Sequence, residues 1–178
     1  MRCAIVALGL VGAACGADEK FLENDRVKIG VDLTSGGSIF WLSEKTNERN
    51  LLNHADRGRF IQQSYYGKPD GSKWGDKPWR WNPVQGGDYK GRPAKLLDSK
   101  VTADSLYVKS VPVNWAGGED VEDCRMEEWI TLEGELAHVR LRFSYNGTEA
   151  HPATHQELPA VFVDYALADL VCYQGEKP

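Results

Sequence analysis

Basic clusters, long apolar runs and helical periodicity are all missing from this chain of 178 residues. Lysine and arginine number 21 against 26 acidic residues, a net charge of −5, and the pI is near 5.4. Without a basic face the chain is not expected to bind nucleic acid in general. The longest apolar run, residues 3–14, falls short of the roughly 20 residues needed to span a bilayer. There is no long helical pattern, no internal repeat and no low-complexity tract. Histidine is also scarce, with four copies. His151 and His155 have a spacing that zinc sites use on a helix, but Pro152 is tolerated only in a first turn, and no cysteine pair assists. No EF-type loop is present. Gly86-Gly87-Asp88 lacks the Gly-Lys-Ser/Thr ending of a phosphate loop. Neither metal nor cofactor is therefore expected.

The apolar run has a different meaning. Arg2 precedes it, small residues follow it, and the charged Asp18-Glu19-Lys20 comes next. This is the pattern of a signal peptide over 1–17, which implies a secreted or periplasmic product. Gly12-Ala13-Ala14-Cys15 resembles a lipobox with Gly12 where leucine is usual, so a lipid on Cys15 is the alternative and the one expected membrane contact. Beyond residue 17 only Cys124 and Cys172 remain. Export permits a disulfide between them, and two buried thiols are the alternative. Asn146-Gly147-Thr148 is a glycosylation sequon.

Strand signals dominate residues 18–178. Over 26–33, Val27, Ile29, Val31 and Leu33 alternate with polar residues and glycine. Ser35-Gly36-Gly37 reads as a turn into a second strand at 38–43, and further strands are expected at 59–66, 95–102 and 105–113. Pro112 puts the end of the last at a sheet edge or bulge. Residues 124–145 form the clearest hairpin. With Glu133-Gly134 as its turn, Glu127 opposes Arg140 and Trp129 opposes His138. One face is then apolar except for Glu128, which is expected at an edge open to water. The expected fold is an all-β antiparallel sandwich in one domain.

The stretch 62–92 breaks this pattern. It holds six aromatics among six glycines and three prolines, which deny it a long helix or a regular central strand. Rings in such a loop line a cleft or fold back as a satellite core. As a lip, Tyr65, Tyr66, Trp79 and Trp81 would stack on sugar faces, with Asn82, Gln85 and Asp88 binding hydroxyls. Trp79 and Trp81 are two apart and are expected on one side. His155 and Glu157, also two apart, are candidates for an acid–base pair, with Asp88 as a second carboxylate. Trp129, His138, Arg140 and Arg142, on the polar face of the hairpin, suit an acidic sugar. The expected partner is thus an oligo- or polysaccharide. A non-catalytic structural or protein-interaction module of the cell envelope is the alternative.

Residues 22–43, with their strand, Gly-Gly turn and second strand, resemble the opening of galactose-mutarotase-like β-sandwiches. Leu22-Glu23-Asn24-Asp25-Arg26, Ile61-Gln62-Gln63-Ser64-Tyr65-Tyr66, Trp81-Asn82-Pro83-Val84-Gln85-Gly86-Gly87-Asp88 and His155-Gln156-Glu157-Leu158-Pro159-Ala160-Val161 resemble pieces of a group of uncharacterised secreted bacterial proteins. The resemblance implies an antiparallel sandwich with a carbohydrate role. Such proteins are usually longer, which implies a truncated sandwich here. The catalytic His and Glu of true mutarotases have no assigned positions in this sequence.

Overall fold

The computed structural model describes residues 18–167 and residue 169. The expected signal segment, Cys15 and Cys172 lie outside them. In chain order the strands are β1 (Glu19–Glu23), β2 (Val27–Asp32), β3 (Ser38–Glu44), β4 (Ile61–Ser64), β5 (Lys73–Trp74), β6 (Lys77–Pro78) and β7 (Pro83–Val84). They continue as β8 (Lys95–Val101), β9 (Ser105–Val111), β10 (Val113–Asn114), β11 (Cys124–Glu133), β12 (Leu136–Tyr145) and β13 (Glu157–Val161). One 3-10 turn at Arg57–Arg59 is the only helical element among the described residues.

Two antiparallel sheets form the sandwich. The first runs β1-β2-β3-β4-β7-β10, with β13 also paired to β4. The second runs β12-β11-β9-β8. Leu22, Ile29, Val31, Ile39 and Ile61 from the first meet Leu106, Val108 and Ile130 from the second in one buried core. Period-two alternation is sufficient to build this layer, because every second side chain of a strand faces the same way. The turn between β2 and β3 needs its glycines. Gly37 has φ 74°, and a Cβ there would lie 2.6 Å from Cβ of Val108 on the opposite sheet. Pro112 marks the corner where the chain leaves β9 in the second sheet for β10 in the first.

The long hairpin keeps its expected faces but not its expected register. Glu133 pairs with Leu136, so Gly134-Glu135 is the turn, with Gly134 at φ 55°. Glycine first with positive φ is the pattern of a type II′ turn, whose twist matches that of the flanking strands. Glu127 therefore opposes Arg142, and Trp129 opposes Arg140. The displacement is two residues, an even step, so no side chain changes face.

Glu128 is also not where expected. Strand β11 is flanked by β12 and β9, so Glu128 occupies a central strand and is 0% exposed. Oε2 of Glu128 accepts a hydrogen bond from Nε2 of Gln85 at 2.8 Å, and its Oε1 has no partner among the described residues. Burial pushes the carboxyl pKa up to about 8 against the pull of the Gln85 hydrogen bond. Cys124, on the same face, is a buried thiol whose pKa burial also raises.

The stretch 62–92 is more ordered than its glycine and proline content suggested. Strand β4 is buried on both faces although it reads Ile-Gln-Gln-Ser. Most of its side-chain polar groups are matched by neighbours, Gln63 Oε1 being the exception among the described residues. Gln62 donates to the carbonyl of Gly58 and accepts from the backbone of Gly86, and Gln63 donates to the carbonyl of Glu127 at 2.9 Å. The hairpin β5–β6 and strand β7 complete the stretch.

Candidate functional site

Pairing of β7 with β10 brings a ring from outside the aromatic stretch into contact with it. The backbone N–H of Trp115, just after β10, donates to the carbonyl of Asn82 at 2.8 Å. Its indole then packs against Trp79 at 5.3 Å and Trp74 at 5.5 Å, with Trp74 and Trp79 5.7 Å apart. Tyr66 closes the group, 6.4 Å from Trp79. Interplanar angles between 49° and 72° make these rings the walls of a box rather than a stack. The four rings line a cavity of about 120 Å3, together with Gln62, Ser64, Asn82 and Glu157. Sequence reading passed over Trp115, and it did not single out Trp74, which is 38% exposed at the lip.

The polar groups of this cavity differ in how free they are. Asn82 is committed. It accepts from Nε1 of Trp79 at 3.3 Å and donates to Oγ of Ser64 at 3.0 Å and to the carbonyl of Tyr65 at 2.9 Å. Glu157 is half-buried, and its carboxylate makes no hydrogen bond or ion pair among the described residues. It is the cavity group placed to accept hydroxyl hydrogens from a ligand.

His155 does not share that cavity. Its ring packs on Tyr66 at 5.1 Å and lines a separate recess of about 320 Å3 with Pro69, Pro78, Trp79 and Arg80. Tyr66 and Trp79 line both spaces and form the wall between His155 and Glu157. The alternation that would align the pair fails because His155 precedes β13. Gln156 instead exchanges two side-chain hydrogen bonds with the backbone of Tyr66, at 2.6 and 3.0 Å. Asp88 is elsewhere again. It is 4% exposed, and its Oδ1 accepts from the N–H groups of Lys90 and Arg92 at 2.9 and 2.8 Å, which holds a turn. Gln85 is in the core beside Glu128.

Trp79 and Trp81 also part company. Trp81 stacks on His151 at 4.2 Å and 12° and meets Tyr145 at 5.5 Å. Tyr65 stacks on Phe143 at 4.9 Å and 10°. Tyr65 and Trp81 thus bind the loop to β12 and to the segment after it. The shared side expected of Trp79 and Trp81 needs extended backbone, and residues 79–82 form no strand.

The outer face of the second sheet collects the remaining candidates. The guanidinium of Arg140 lies 4.3 Å over the Trp129 ring and that of Arg142 5.2 Å from it. Tyr107 packs on Trp129 at 5.3 Å and donates to Oε1 of Glu127 at 2.8 Å. Burial, reinforced by that carboxylate, pushes the Tyr107 pKa up to about 12. His138 faces Glu133 at 3.2 Å. A surface depression of about 880 Å3 is lined by Lys100, Ser105, Tyr107, Trp129, Thr131, His138 and Arg140.

No protein-family model matches this chain, and no curated protein sequence matches it. Among solved structures it is similar to the 4-alpha-glucanotransferase from Thermococcus litoralis, with 22% identity over 70% of this chain and a TM-score of 0.44. The chain spans 22% of that protein's length.

Proposed function

We propose that this chain is an exported carbohydrate-recognition domain and that the aromatic box is its sugar site. The observation that carries the reading is the box itself. Four inclined rings offer apolar faces to sugar C–H groups, and Glu157 offers an acceptor with no partner among the described residues. A cavity of about 120 Å3 takes the tip of a glycan, and the recess beyond Tyr66 and Trp79 provides room for the next part of the chain. The likeness of the sequence to galactose-mutarotase-like sandwiches supports the same role, and the pattern of residues 1–17 supports export. Recognition is favoured over turnover because neither His155 nor Asp88 lines the cavity with Glu157.

The test starts from a glycan screen on residues 18–178, followed by titration of the best ligand. Trp74→Ala and Glu157→Gln should each weaken binding about tenfold, the scale of one lost ring contact or one charged hydrogen bond. Trp74 is exposed at the lip, so its removal should leave the melting temperature nearly unchanged. Trp81→Ala should lower the melting temperature instead, because its ring is packed between His151 and Tyr145. Wild-type affinity in both cavity variants would leave the rings as a packing cluster of a structural module.

A further inference from the structure

Register places the outer-face side chains of the second sheet in rows that cross all four strands. One row is Asp98, Lys109, Glu127 and Arg142. Its charges alternate in sign, and Arg142 reaches Glu127 at 3.6 Å. The next row is Lys100, Tyr107, Trp129 and Arg140. It has a cation at each end, two rings between them and no acid. Arg140 and Lys100 make no hydrogen bond or ion pair among the described residues. Two unbalanced cations at the ends of one row on a chain of net charge −5 are a local reversal of its overall sign.

The geometry within the row is specific. The Arg140 guanidinium lies over the Trp129 ring at 4.3 Å, a contact that restrains the side chain while leaving its N–H fork unused. Tyr107 is tilted 36° from Trp129, and its hydroxyl is tied to Glu127. Three strand spacings separate Lys100 from Arg140, roughly 14 Å. An oligosaccharide bridges that span, whereas a single sugar does not. Ser105, Thr131 and His138 border the same depression and supply hydroxyl and imidazole groups.

We propose that this row is a second glycan subsite, in which Lys100 and Arg140 each hold a carboxylate of a uronic-acid oligosaccharide whose ring lies over Tyr107. Trp129 is a positioning residue that presents Arg140. The proposal rests on the carbohydrate reading and narrows it to acidic glycans, because a guanidinium fork matches a carboxylate in bidentate fashion.

Oligogalacturonate, its methyl ester and a single-stranded RNA oligonucleotide of similar length are titrated into the folded protein at low and high salt. Oligogalacturonate should bind, and more weakly as salt screens the pair. The methyl ester, which keeps the rings but loses the charges, should bind at least about tenfold more weakly. Arg140→Ala and Lys100→Ala should each reduce oligogalacturonate binding about tenfold with an unchanged melting temperature, since both side chains are exposed. Trp129→Phe, which keeps a ring under Arg140, should reduce it less than Trp129→Ala. Equal binding of acid and ester, or full binding by Arg140→Ala, overturns the proposal, as does RNA binding more tightly than the oligouronate. Loss confined to Trp74→Ala and Glu157→Gln overturns this subsite and leaves the aromatic box standing. Loss confined to the row variants does the reverse.

Discussion

Replacing Glu128 with glutamine should stabilise the protein by on the order of 3 kcal/mol at pH 7 and change nothing near pH 4. The wild-type carboxyl is completely buried, and its pKa rises from an ordinary 4.5 to about 8 in the fold. The unfolded chain releases that proton near pH 4.5, whereas the folded chain keeps it until about pH 8. Between those values the native state binds more protons than the unfolded one, so stability falls as pH rises. Below 4.5 both states are protonated, and Glu128 contributes no pH dependence. Above 8 both are ionised, and the penalty is constant. Glutamine has no charge to bury, and its carbonyl can still accept from Nε2 of Gln85. Its new N–H group replaces an oxygen that has no partner, and Gln63 Oε1 and Ser110 Oγ are likewise unpartnered buried atoms among the described residues. Groups of opposite sign make the comparison with wild type essential. Glu23, hydrogen-bonded by Lys45, has a lowered pKa and loses its contribution in acid. Urea unfolding of both proteins at pH 4, 6 and 8 isolates the Glu128 difference. A gap that does not widen from pH 4 to pH 8 would show that this carboxyl is solvated.

Ile130→Ala should cost about 2–5 kcal/mol, the range for emptying a packed aliphatic site. Ile130 is 1% exposed on the central strand β11, paired between Leu106 of β9 and Val139 of β12. No shift of one neighbour closes the space from both sides. Leu141→Ala should cost less. Leu141 shares the inner-facing side of the hairpin but lies on β12, the edge strand of its sheet, and is only half-buried. Denaturant midpoints of the two variants order the sites directly. Equal losses would mean that the edge strand is as tightly covered as the centre.

Glu128 and Leu141 show where local pattern stops being informative. Alternation over 26–33 and 124–145 was enough to assign strands and faces, because side-chain direction in a strand is a property of the strand alone. The Gly-Gly turn before β3 was legible from residue type, whereas Pro112, expected at a sheet edge or bulge, marks the passage of the chain from one sheet to the other. A strand's place in its sheet is not a local property. Only the pairing of β9 with β11 makes Glu128 central and buried, and β12, with no strand beyond it among the described residues, leaves Leu141 half-covered. The hairpin turn was misread by one position, and the faces survived because the register moved by an even number.

The candidate site divides in the same way. Tyr66, Trp79 and Glu157 were legible as residue types suited to a sugar. Trp115 was not, since 34 residues separate it from Trp81 in sequence and only the pairing of β7 with β10 joins their segments. The sharing of faces by Trp79 with Trp81 and by His155 with Glu157 presumed continuous strands, and neither residues 79–82 nor His155 belong to one. The outer row of Lys100, Tyr107, Trp129 and Arg140 draws one residue from each of four strands. The sequence by itself determined the period of each strand and the chemistry each face carries. Tertiary structure alone decided which faces meet, because strand order and register depend on hydrogen bonds between residues far apart in the chain, and no local pattern encodes them.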